Sequence, residues 1–294
     1  MQKTKQIAII GGDARYLPLI HALKTIDQLN IRILGFEQVE QSYTGVMQST
    51  IENLDTSKLD GIILPITGID DEGYVETMFS NEKIQLTETW FQGLPENCVV
   101  FTGISNQKLD QHIENNKLKL IKLMERNDVA IYNSIPTAEG AIMLAIQHTD
   151  FTIHHANVFI FGYGRVGETT ANSFAGLGAN VAVISKEETD LARVYQRRWG
   201  AYSLDQAKNY MDECQILINT IPAKVVDKSL IEKMNNQAII IDLASKPGGI
   251  DFEYAKTRGI KAIHALGLPG MVAPTTAGEI LADRIAKILF TSLK

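Results

Sequence analysis

Short apolar runs rich in isoleucine and valine alternate along this chain with longer stretches whose apolar residues recur at helical spacing. Near-continuous apolar runs are typical of strands that helices cover on both faces. Strands that alternate with helices predict an α/β protein with parallel sheets. The predicted strands are residues 6–11, 31–36, 61–66, 98–103 and 118–122, followed by 157–161, 180–185, 216–221, 238–243 and 261–265.

Two helical stretches follow a proline, Pro136 in one and Pro274 in the other. Proline suits the first position of a helix, where its missing N–H has no intrahelical acceptor to lose. In the second stretch Thr276 and Glu279 have the spacing of a capping box. We predict that these two helices cross between two domains, although two ordinary surface helices would show the same pattern. The other helices predicted in the first half are residues 16–29, 107–115 and 123–130.

Composition narrows the class of protein. Hydrophobic residues make up 45% and charged residues 21% of the chain, the balance of a globular protein. The formal net charge of -6 and the scattered Lys and Arg residues argue against a nucleic-acid-binding face. No apolar run reaches the roughly 18 residues that a membrane span needs. Cys98 and Cys214 both flank apolar strands, so we expect buried free thiols in a cytoplasmic protein.

The predicted strand at residues 157–161 leads directly into a G-x-G-x-x-G motif, which a helical stretch and a second strand follow. In that order the motif predicts a Rossmann dinucleotide-binding unit. Gly162 permits the tight turn, Gly164 lets a pyrophosphate approach the backbone, and Gly167 lets the helix pack closely on the strand. The amino terminus of the helix attracts the phosphates. The predicted cofactor-binding residues of this loop are Gly162, Tyr163, Gly164, Arg165, Val166 and Gly167.

The end of the second Rossmann strand favours NADP over NAD. NAD sites usually place Asp or Glu there to bind the ribose 2′-hydroxyl, whereas this strand ends in Ser185 and Lys186. Both side chains can donate to the 2′-phosphate of NADP, and bonds to charged groups contribute roughly 1.5 to 3 kcal/mol each. Arg165 is a further phosphate donor. NAD is the alternative if Glu187 and Glu188 bind the ribose instead.

Ligands of an open α/β sheet bind beyond the carboxyl ends of its strands. In the second half of the chain these ends carry Thr220 and Pro222, which we add to the cofactor site, and then Ser245, Lys246 and His264. The layout resembles the 2-hydroxy-acid dehydrogenases. That family implies an Arg where Lys246 stands and a His backed by a carboxylate. His264 has no evident acidic partner in the sequence, so these departures argue against ordinary keto-acid reduction.

Four motifs resemble the family of the dipicolinate synthase A subunit, and the resemblance covers nearly the whole chain. They lie at residues 133–140, 161–167, 242–249 and 265–278. The first and last are not general features of Rossmann proteins. The resemblance implies oxidation of dihydrodipicolinate to dipicolinate with NADP as hydride acceptor. It also implies a flavoprotein-like partner, the synthase's B subunit, in the mother cell of a spore-forming bacterium.

The implied reaction needs a site that orients the ring against the nicotinamide, removes one proton and binds two carboxylates. Imidazole titrates near neutrality, which makes His264 the predicted base. Lys246 and Glu139 complete the catalytic candidates. Hydroxyl groups and the N–H groups of helix amino-terminal turns attract carboxylates. The substrate-binding residues predicted on that ground are Ser134, Thr137, Ser245, Pro274, Thr275 and Thr276.

The domain prediction combines these observations. A flavodoxin-like substrate domain at residues 1–132 plus 274–294 is followed by a linking helix at 133–150 and a Rossmann NADP-binding domain at 151–273. We expect a homo-oligomer without a metal site. Two alternatives stay open: a non-catalytic NADP-binding subunit that organises its partner, and a dehydrogenase of another small carboxylate. Residues 11–13 are interpreted as a structural turn, with Asp13 or Arg15 facing the substrate as the alternative.

Overall fold

A computed structural model describes residues 4–39 and 45–291. The chain forms two compact units. The first takes the chain up to Ala130 and again from Ala273 onward, and the second consists of Ile131–Val272. Each unit contains a six-stranded parallel sheet with helices, which confirms the predicted α/β fold class. Residues 1–3, 40–44 and 292–294 of the predicted first domain lie outside the described residues.

The first unit is built around one parallel sheet. Its strands are β1 (Lys5–Ile10), β2 (Leu29–Leu34), β3 (Val46–Gln48), β4 (Gly61–Ile63), β7 (Val99–Thr102) and β8 (Lys119–Lys122). Two further strands, β5 (Tyr74–Val75) and β6 (Ile84–Gln85), pair antiparallel outside this sheet. The helices are α1 (Tyr16–Leu23), α2 (Glu88–Gln92), α3 (Gln107–Asn115) and α11 (Pro274–Thr291), with 3-10 turns at Thr56–Lys58 and Leu123–Glu125.

The strand order of the first sheet is β3-β2-β1-β4-β7-β8. Counted within this sheet alone, that is the Rossmann order 3-2-1-4-5-6 and not the flavodoxin order 2-1-3-4-5. The predicted flavodoxin-like character of the first domain is therefore wrong. The error comes from β3, whose three residues are Val-Met-Gln. Besides methionine this strand has a single apolar side chain, so the apolar pattern does not reveal it. Without β3 the remaining strands would read as the flavodoxin order.

The second unit repeats this architecture. Its strands are β9 (Asn157–Phe161), β10 (Asn180–Ile184), β11 (Gly200–Tyr202), β12 (Ile216–Asn219), β13 (Ile239–Asp242) and β14 (Lys261–His264). Its sheet order, β11-β10-β9-β12-β13-β14, is again the Rossmann order. Strand β11 was not among the predicted strands. The helices of this unit are α5 (Arg165–Gly176), α6 (Glu188–Gln196), α7 (Leu204–Ala207), α8 (Lys228–Ile231), α9 (Phe252–Thr257) and α10 (Leu268–Val272).

Apolar side chains cover both faces of the sheets. In β1, Ile9 and Ile10 are both fully buried although they point to opposite faces, because each face has its own apolar layer. Fully burying such a side chain contributes about 1.5 to 3 kcal/mol. Leu19 of α1 and Ile285 of α11 belong to the same layer as Ile9. The last helix therefore returns to the core of the first unit, as the sequence predicts.

Helix α4 (Asn127–His148) runs from the end of the first unit into the second. Pro136 lies inside this helix, so the predicted helix start at Pro136 is wrong. An interior proline removes one hydrogen bond and costs about 3 kcal/mol, which the complete burial of Ala138 and Ala141 helps to offset. Within the described residues α4 is the one helix long and apolar enough to cross a membrane, a test that core helices of soluble proteins also pass.

One predicted capping box and one predicted helix end also need correction. Helix α11 begins at Pro274 as predicted, but Thr276 lies within its first turn, so it is not the N-cap of a capping box with Glu279. Ala273 precedes the helix and its carbonyl accepts the N–H of Ala277. Of the helix predicted at residues 16–29, only Tyr16–Leu23 is helical, because the chain turns there to begin β2.

Candidate functional site

The phosphate loop lies between β9 and α5 in the second unit. Gly162 has a φ of 94°, a conformation that side chains other than glycine rarely adopt. A Cβ atom at Gly162 would lie 2.5 Å from Thr220 Oγ1, so a larger residue has no room there. The N–H of Gly162 donates to the carbonyl of Ile184 at the end of β10. The turn is thus fixed by both neighbouring strands.

The other two glycines of the motif differ in their surroundings. A Cβ atom at Gly164 would meet no atom within 4 Å, which leaves open space over the loop for a pyrophosphate. At Gly167 the same atom would lie 2.2 Å from the carbonyl oxygen of Gly162, because α5 packs directly on the turn. Helix α5 begins at Arg165, and the first N–H groups of a helix offer an anion site. The loop therefore fits a dinucleotide phosphate.

Tyr163 is buried beneath the loop in the apolar layer that contains Val183 and Val194. Its hydroxyl group has no hydrogen-bond partner among the residues that the structure describes. Burial raises the pKa of this phenol, and the carboxylate of Glu168 raises it further. The hydroxyl therefore stays protonated, and Tyr163 supports the loop from below.

The residues predicted to select NADP lie at the carboxyl end of β10. The hydroxyl group of Ser185 donates to Asp190 Oδ2 at 2.9 Å and accepts the N–H of Glu187 at 3.2 Å. Ser185 is buried where it makes these bonds, so its predicted donation to a 2′-phosphate is corrected to a role in holding the start of α6. The side chain of Lys186 is largely exposed, with its Nζ 3.6 Å from Glu187 Oε1. Lys186 is the residue of this pair that is able to reach a ligand.

Thr220 connects the end of β12 to the phosphate loop. Its hydroxyl group donates to the carbonyl of Phe161 at 2.8 Å, and its N–H donates to the same oxygen. Thr220 therefore supports the turn at Gly162 from the neighbouring strand. Pro222, two residues further on, is exposed at the same edge of the sheet.

A buried polar pair joins the ends of β12 and β13. Asn219 Nδ2 donates to Asp242 Oδ1 at 2.7 Å, and both residues are fully buried. Asp242 also accepts the N–H groups of Ala244 and Gly249, at 3.1 and 2.8 Å. Three donors thus compensate the buried carboxylate. This pair was not predicted from the sequence, although each of its members is a polar residue that ends an apolar strand.

His264 ends β14 directly beside Asp242, which is its partner in the register of the two strands. Its Nε2 donates to the carbonyl of Ala244 at 3.0 Å, and its ring lies 5.6 Å from the ring of Phe252. A Cβ atom at Gly248 would lie 2.6 Å from Asp242 Oδ2 and 3.4 Å from the His264 ring. An acidic residue therefore stands next to His264, where the sequence showed none.

Ser245 and Lys246 project from a tight turn at the same edge of the sheet. The N–H of Gly248 donates to the carbonyl of Ser245 at 2.9 Å, and the Lys246–Pro247 peptide bond is cis. Gly248 has a φ of 88°. Both Ser245 and Lys246 are exposed, so the turn presents a hydroxyl and an ammonium group to solvent. The structure thus brings Ser245, Lys246 and His264 to one edge.

Two residues of α4 that were predicted to bind substrate, Ser134 and Thr137, form hydrogen bonds to other parts of the protein. The Ser134 hydroxyl bonds to the Ile131 carbonyl and to Thr169 Oγ1, each at 2.7 Å, and is almost fully buried. Its predicted role is corrected to packing α4 on α5. Thr137 donates to the Asn133 carbonyl within the helix. Because this segment is helix interior, it offers no free N–H groups for a carboxylate.

Glu139 is exposed in the middle of α4 and does not cap a helix. Pro274, Thr275 and Thr276 form the first turn of α11 in the first unit, with both threonines exposed. The predicted catalytic role of Glu139 and the predicted substrate contacts of Pro274, Thr275 and Thr276 stay predictions.

The turn after β1 in the first unit contains an ion pair. Arg15 donates through Nε to Asp13 Oδ1 at 2.9 Å, and its Nη2 also contacts this carboxylate. Burial raises the pKa of Asp13, but the bonds and charge of Arg15 outweigh that effect, so the pKa lies below its usual range. Gly12 lies against the ring of Tyr16, which leaves no room for a side chain. A structural turn explains these contacts.

The fold and the phosphate loop define a class of protein. Residues 132–291 match the family described as alanine dehydrogenase/PNT, C-terminal domain. The transhydrogenase of Sinorhizobium meliloti shares the fold alone, at 15% identity and a TM-score of 0.68 over 98% of this chain and 94% of that chain. The second unit is therefore a dehydrogenase-type domain for a nicotinamide dinucleotide.

Comparisons that extend over nearly the whole chain identify the particular family. Residues 6–124 match the family described as the N-terminal domain of the dipicolinate synthase A subunit. The chain is 46% identical to the dipicolinate synthase A subunit of Bacillus subtilis (strain 168), over 97% of this chain and 95% of that protein. The crystal structure of the dipicolinate synthase A subunit from Bacillus halodurans superposes with a TM-score of 0.95 at 49% identity, covering 98% of this chain and 99% of that one. The chain belongs to the family of the dipicolinate synthase A subunit, which confirms the predicted resemblance.

Proposed function

We propose that this chain oxidises dihydrodipicolinate to dipicolinate, with NADP as the hydride acceptor. One observation carries the proposal: Lys246 and His264 lie at the same sheet edge as the phosphate loop of a dehydrogenase-type domain. Ligands of such sheets bind at this edge. Family membership supports the substrate, since the relatives carry the name dipicolinate synthase.

The reaction removes a hydride and a proton from the dihydro ring and leaves an aromatic pyridine. The nicotinamide ring of the bound cofactor supplies the acceptor for the hydride. The protein has to orient the substrate and take up the proton, and orientation is a large part of the rate enhancement in such reactions. No change of metal or flavin redox state is needed for this balance.

We assign Lys246 and Ser245 to a substrate carboxylate, because their turn is exposed and carries a cation. Their position is held by Asp242, which accepts the N–H groups of Ala244 and Gly249 on either side of the turn. We assign the proton to His264. Its Nε2 is bound to the Ala244 carbonyl, so Nδ1 is the atom that would accept it.

The preference for NADP rests on Lys186 after β10, with Arg165 at the start of α5 as a second cation. Charge-assisted bonds to phosphate are roughly twice as strong as neutral ones. The carboxylate of Asp190, which accepts a hydrogen bond from Ser185, repels the 2′-phosphate. NADP binding therefore depends on the cations at the exposed edge and not on the buried serine.

We also propose a partner chain, an oligomeric state and a cellular location for this protein. The family is named for one part of a synthase with more than one kind of chain, which supports the synthase's B subunit as the partner of this chain. We also propose a homo-oligomer in the cytoplasm of a spore-forming bacterium's mother cell. The remaining substrate contacts proposed are Pro274, Thr275 and Thr276, with Glu139 as a further catalytic candidate.

A direct assay tests the function. The purified chain, without its proposed partner, is mixed with dihydrodipicolinate and NADP, and absorbance follows NADPH while chromatography measures dipicolinate. We expect the two products in equal amounts. NADP binding without either product would favour a non-catalytic subunit that organises its partner. NADPH formed with another small carboxylate but not with dihydrodipicolinate would favour the third interpretation.

A further inference from the structure

Arg193 lies on α6, the helix that follows β10 in the second unit. Its side chain is exposed, and no other residue that the structure describes forms an ion pair with it. The charges of two nearby cations are partly offset by carboxylates. Lys186 Nζ lies 3.6 Å from Glu187 Oε1, and Arg197 Nη2 lies 3.7 Å from Glu168 Oε1. The guanidinium of Arg193 is therefore available to an anionic ligand.

The position of Arg193 along α6 places it near the start of α5. The two helices follow neighbouring parallel strands, so both begin at the carboxyl edge of the sheet and run away from it. Arg197 Nη1 donates to Asn172 Oδ1 at 2.8 Å, and this bond fixes the level of α6 against α5. Four residues make about one helical turn. Arg193 is therefore one turn nearer the carboxyl edge, level with the first turn of α5, which ends at Glu168.

The phenol of Tyr163 supports this position independently. Tyr163 is the second residue of the phosphate loop, and it packs in the same apolar layer as Val194, the residue after Arg193. Burial raises the pKa of the Tyr163 hydroxyl, and the positive charges of Arg197 and Arg193 act in the opposite direction. Charges influence each other in this way only at short range, because salt screens exposed charges beyond about 10 Å. Arg193 therefore faces the side of the phosphate loop.

The end of β10 is where a Rossmann domain distinguishes its two cofactors. The residue there binds the ribose 2′-hydroxyl of NAD, or a nearby arginine accommodates the 2′-phosphate of NADP. In this chain the residue is Ser185, whose hydroxyl group donates to Asp190 Oδ2 at 2.9 Å. Asp190 and Arg193 are three residues apart on α6, so they are neighbours on the surface of that helix. Arg193 thus lies next to the residue that contacts the end of the strand.

We propose that Arg193 binds the 2′-phosphate and makes this chain select NADP over NAD. The inference rests on the proposed function, because it requires the phosphate loop to bind a nicotinamide dinucleotide. The planar guanidinium forms two parallel bonds to a phosphate, which the ammonium group of a lysine does not. Its charge also offsets that of Asp190, which repels the 2′-phosphate. Arg193 is therefore a specificity-determining residue and takes no part in the transfer of the hydride.

Calorimetric titration of the full chain with NADP, NAD and 2′,5′-ADP tests the proposal. The last compound carries the 2′-phosphate without the nicotinamide and the pyrophosphate. Arg193→Ala should weaken the binding of NADP and of 2′,5′-ADP at least about tenfold, or about 1.4 kcal/mol, and leave that of NAD within about twofold. Arg193→Lys keeps the positive charge and should lose less affinity than Arg193→Ala. Lys233→Ala removes an exposed cation before β13, at the opposite edge of the sheet, and should change none of the three affinities.

The three ligands separate the roles that Arg193 can have. Equal losses for NADP and NAD in Arg193→Ala would mean that Arg193 contacts their shared groups or supports the fold, and would overturn the proposal. Unchanged NADP binding in Arg193→Ala, beside a wild type that binds NADP, would overturn it and leave the proposed function standing. A wild type that binds neither dinucleotide would overturn both. Thermal unfolding of every variant, measured before the titrations, establishes that it is folded.

Discussion

The amide of Asn219 and the carboxylate of Asp242 meet at 2.7 Å, fully buried, where two neighbouring strands end. The other oxygen of Asp242 accepts the N–H of Gly249, and the first oxygen also accepts that of Ala244. One buried pair thus fixes the turn that carries Lys246. The position of the substrate-facing cation depends on a contact made inside the sheet.

Replacing Asp242 by Asn should destabilise the protein. An amide in this position points its own N–H groups at one of the three donors, and each buried unsatisfied group costs about 1 to 3 kcal/mol. Urea unfolding followed by fluorescence measures the loss in the free energy of unfolding. Asp205→Asn is the matched control, because its side chain is 97% exposed, and it should change stability by less than about 0.5 kcal/mol. Equal stability of the two variants would contradict the role given to Asp242.

Lys246→Ala should raise KM for dihydrodipicolinate by about tenfold or more, since a bond to a charged group contributes roughly 1.5 to 3 kcal/mol. The dissociation constant for NADP should stay within about twofold, which is less than 0.5 kcal/mol. Steady-state kinetics give the first quantity and calorimetry the second. Lys233→Ala, in an exposed loop before β13 at the opposite edge of the sheet, is the control. Unchanged KM would remove Lys246 from the substrate site.

Lys186→Glu should weaken NADP binding and affect NAD much less. The substitution exchanges a cation for an anion where β10 ends, and only NADP carries a 2′-phosphate. We expect at least a tenfold loss for NADP, or about 1.4 kcal/mol. Lys233→Glu makes the same change of charge away from this edge and should alter neither affinity. A parallel loss for both dinucleotides would mean that Lys186 contacts their shared groups instead.

Asp128 should make the stability of the first unit depend on acid pH. Its hydrogen bonds to Arg126, and to a lesser degree Arg284, lower the pKa of this carboxyl from 3.8 to about 2. A carboxylate with a lowered folded-state pKa stabilises the protein above the unfolded value, and this contribution is lost as the pH falls from about 4 to about 2. This contribution to stability is small because the Asp128 carboxylate is well solvated.

The free energy of unfolding of the wild type and of Asp128→Asn, measured between pH 2 and 5, tests this contribution. That pH range includes both the folded and the unfolded pKa of Asp128. The wild type should lose more stability on acidification than the variant, so that the two curves converge at low pH. Curves that stay parallel over the whole range would show that Asp128 has the same pKa in the folded and unfolded chain.

Features that depend on neighbouring residues were predictable from the sequence. The glycines of residues 162–167 could be assigned because strand, turn and helix follow one another directly, and each glycine's surroundings lie within that unit. The return of α11 to the first unit also agrees with its apolar pattern. The register of β12 and β13, which pairs Asn219 with Asp242, joins residues 23 positions apart, so the polar ends of the two strands do not by themselves show that they meet.

The errors have equally specific causes. Proline is favoured at the first position of a helix, but around Pro136 the burial of small residues such as Ala138 and Ala141 favours a continuous helix. Ser185 looked like a phosphate donor because its residue type suits one. Its bond to Asp190 forms only when α6 folds back onto the strand end, and that arrangement is tertiary.

The phosphate loop has to bind a dinucleotide for the proposed reaction to occur, and calorimetric titration of NADP tests this binding directly. Wild type and Gly176→Ala should bind alike, because a Cβ atom at Gly176 meets nothing within 4 Å. Gly167→Ala puts that atom 2.2 Å from the Gly162 carbonyl, and the resulting shift of the turn should weaken binding at least tenfold, or about 1.4 kcal/mol. Absence of heat from the folded wild type with NADP and with NAD would contradict the account.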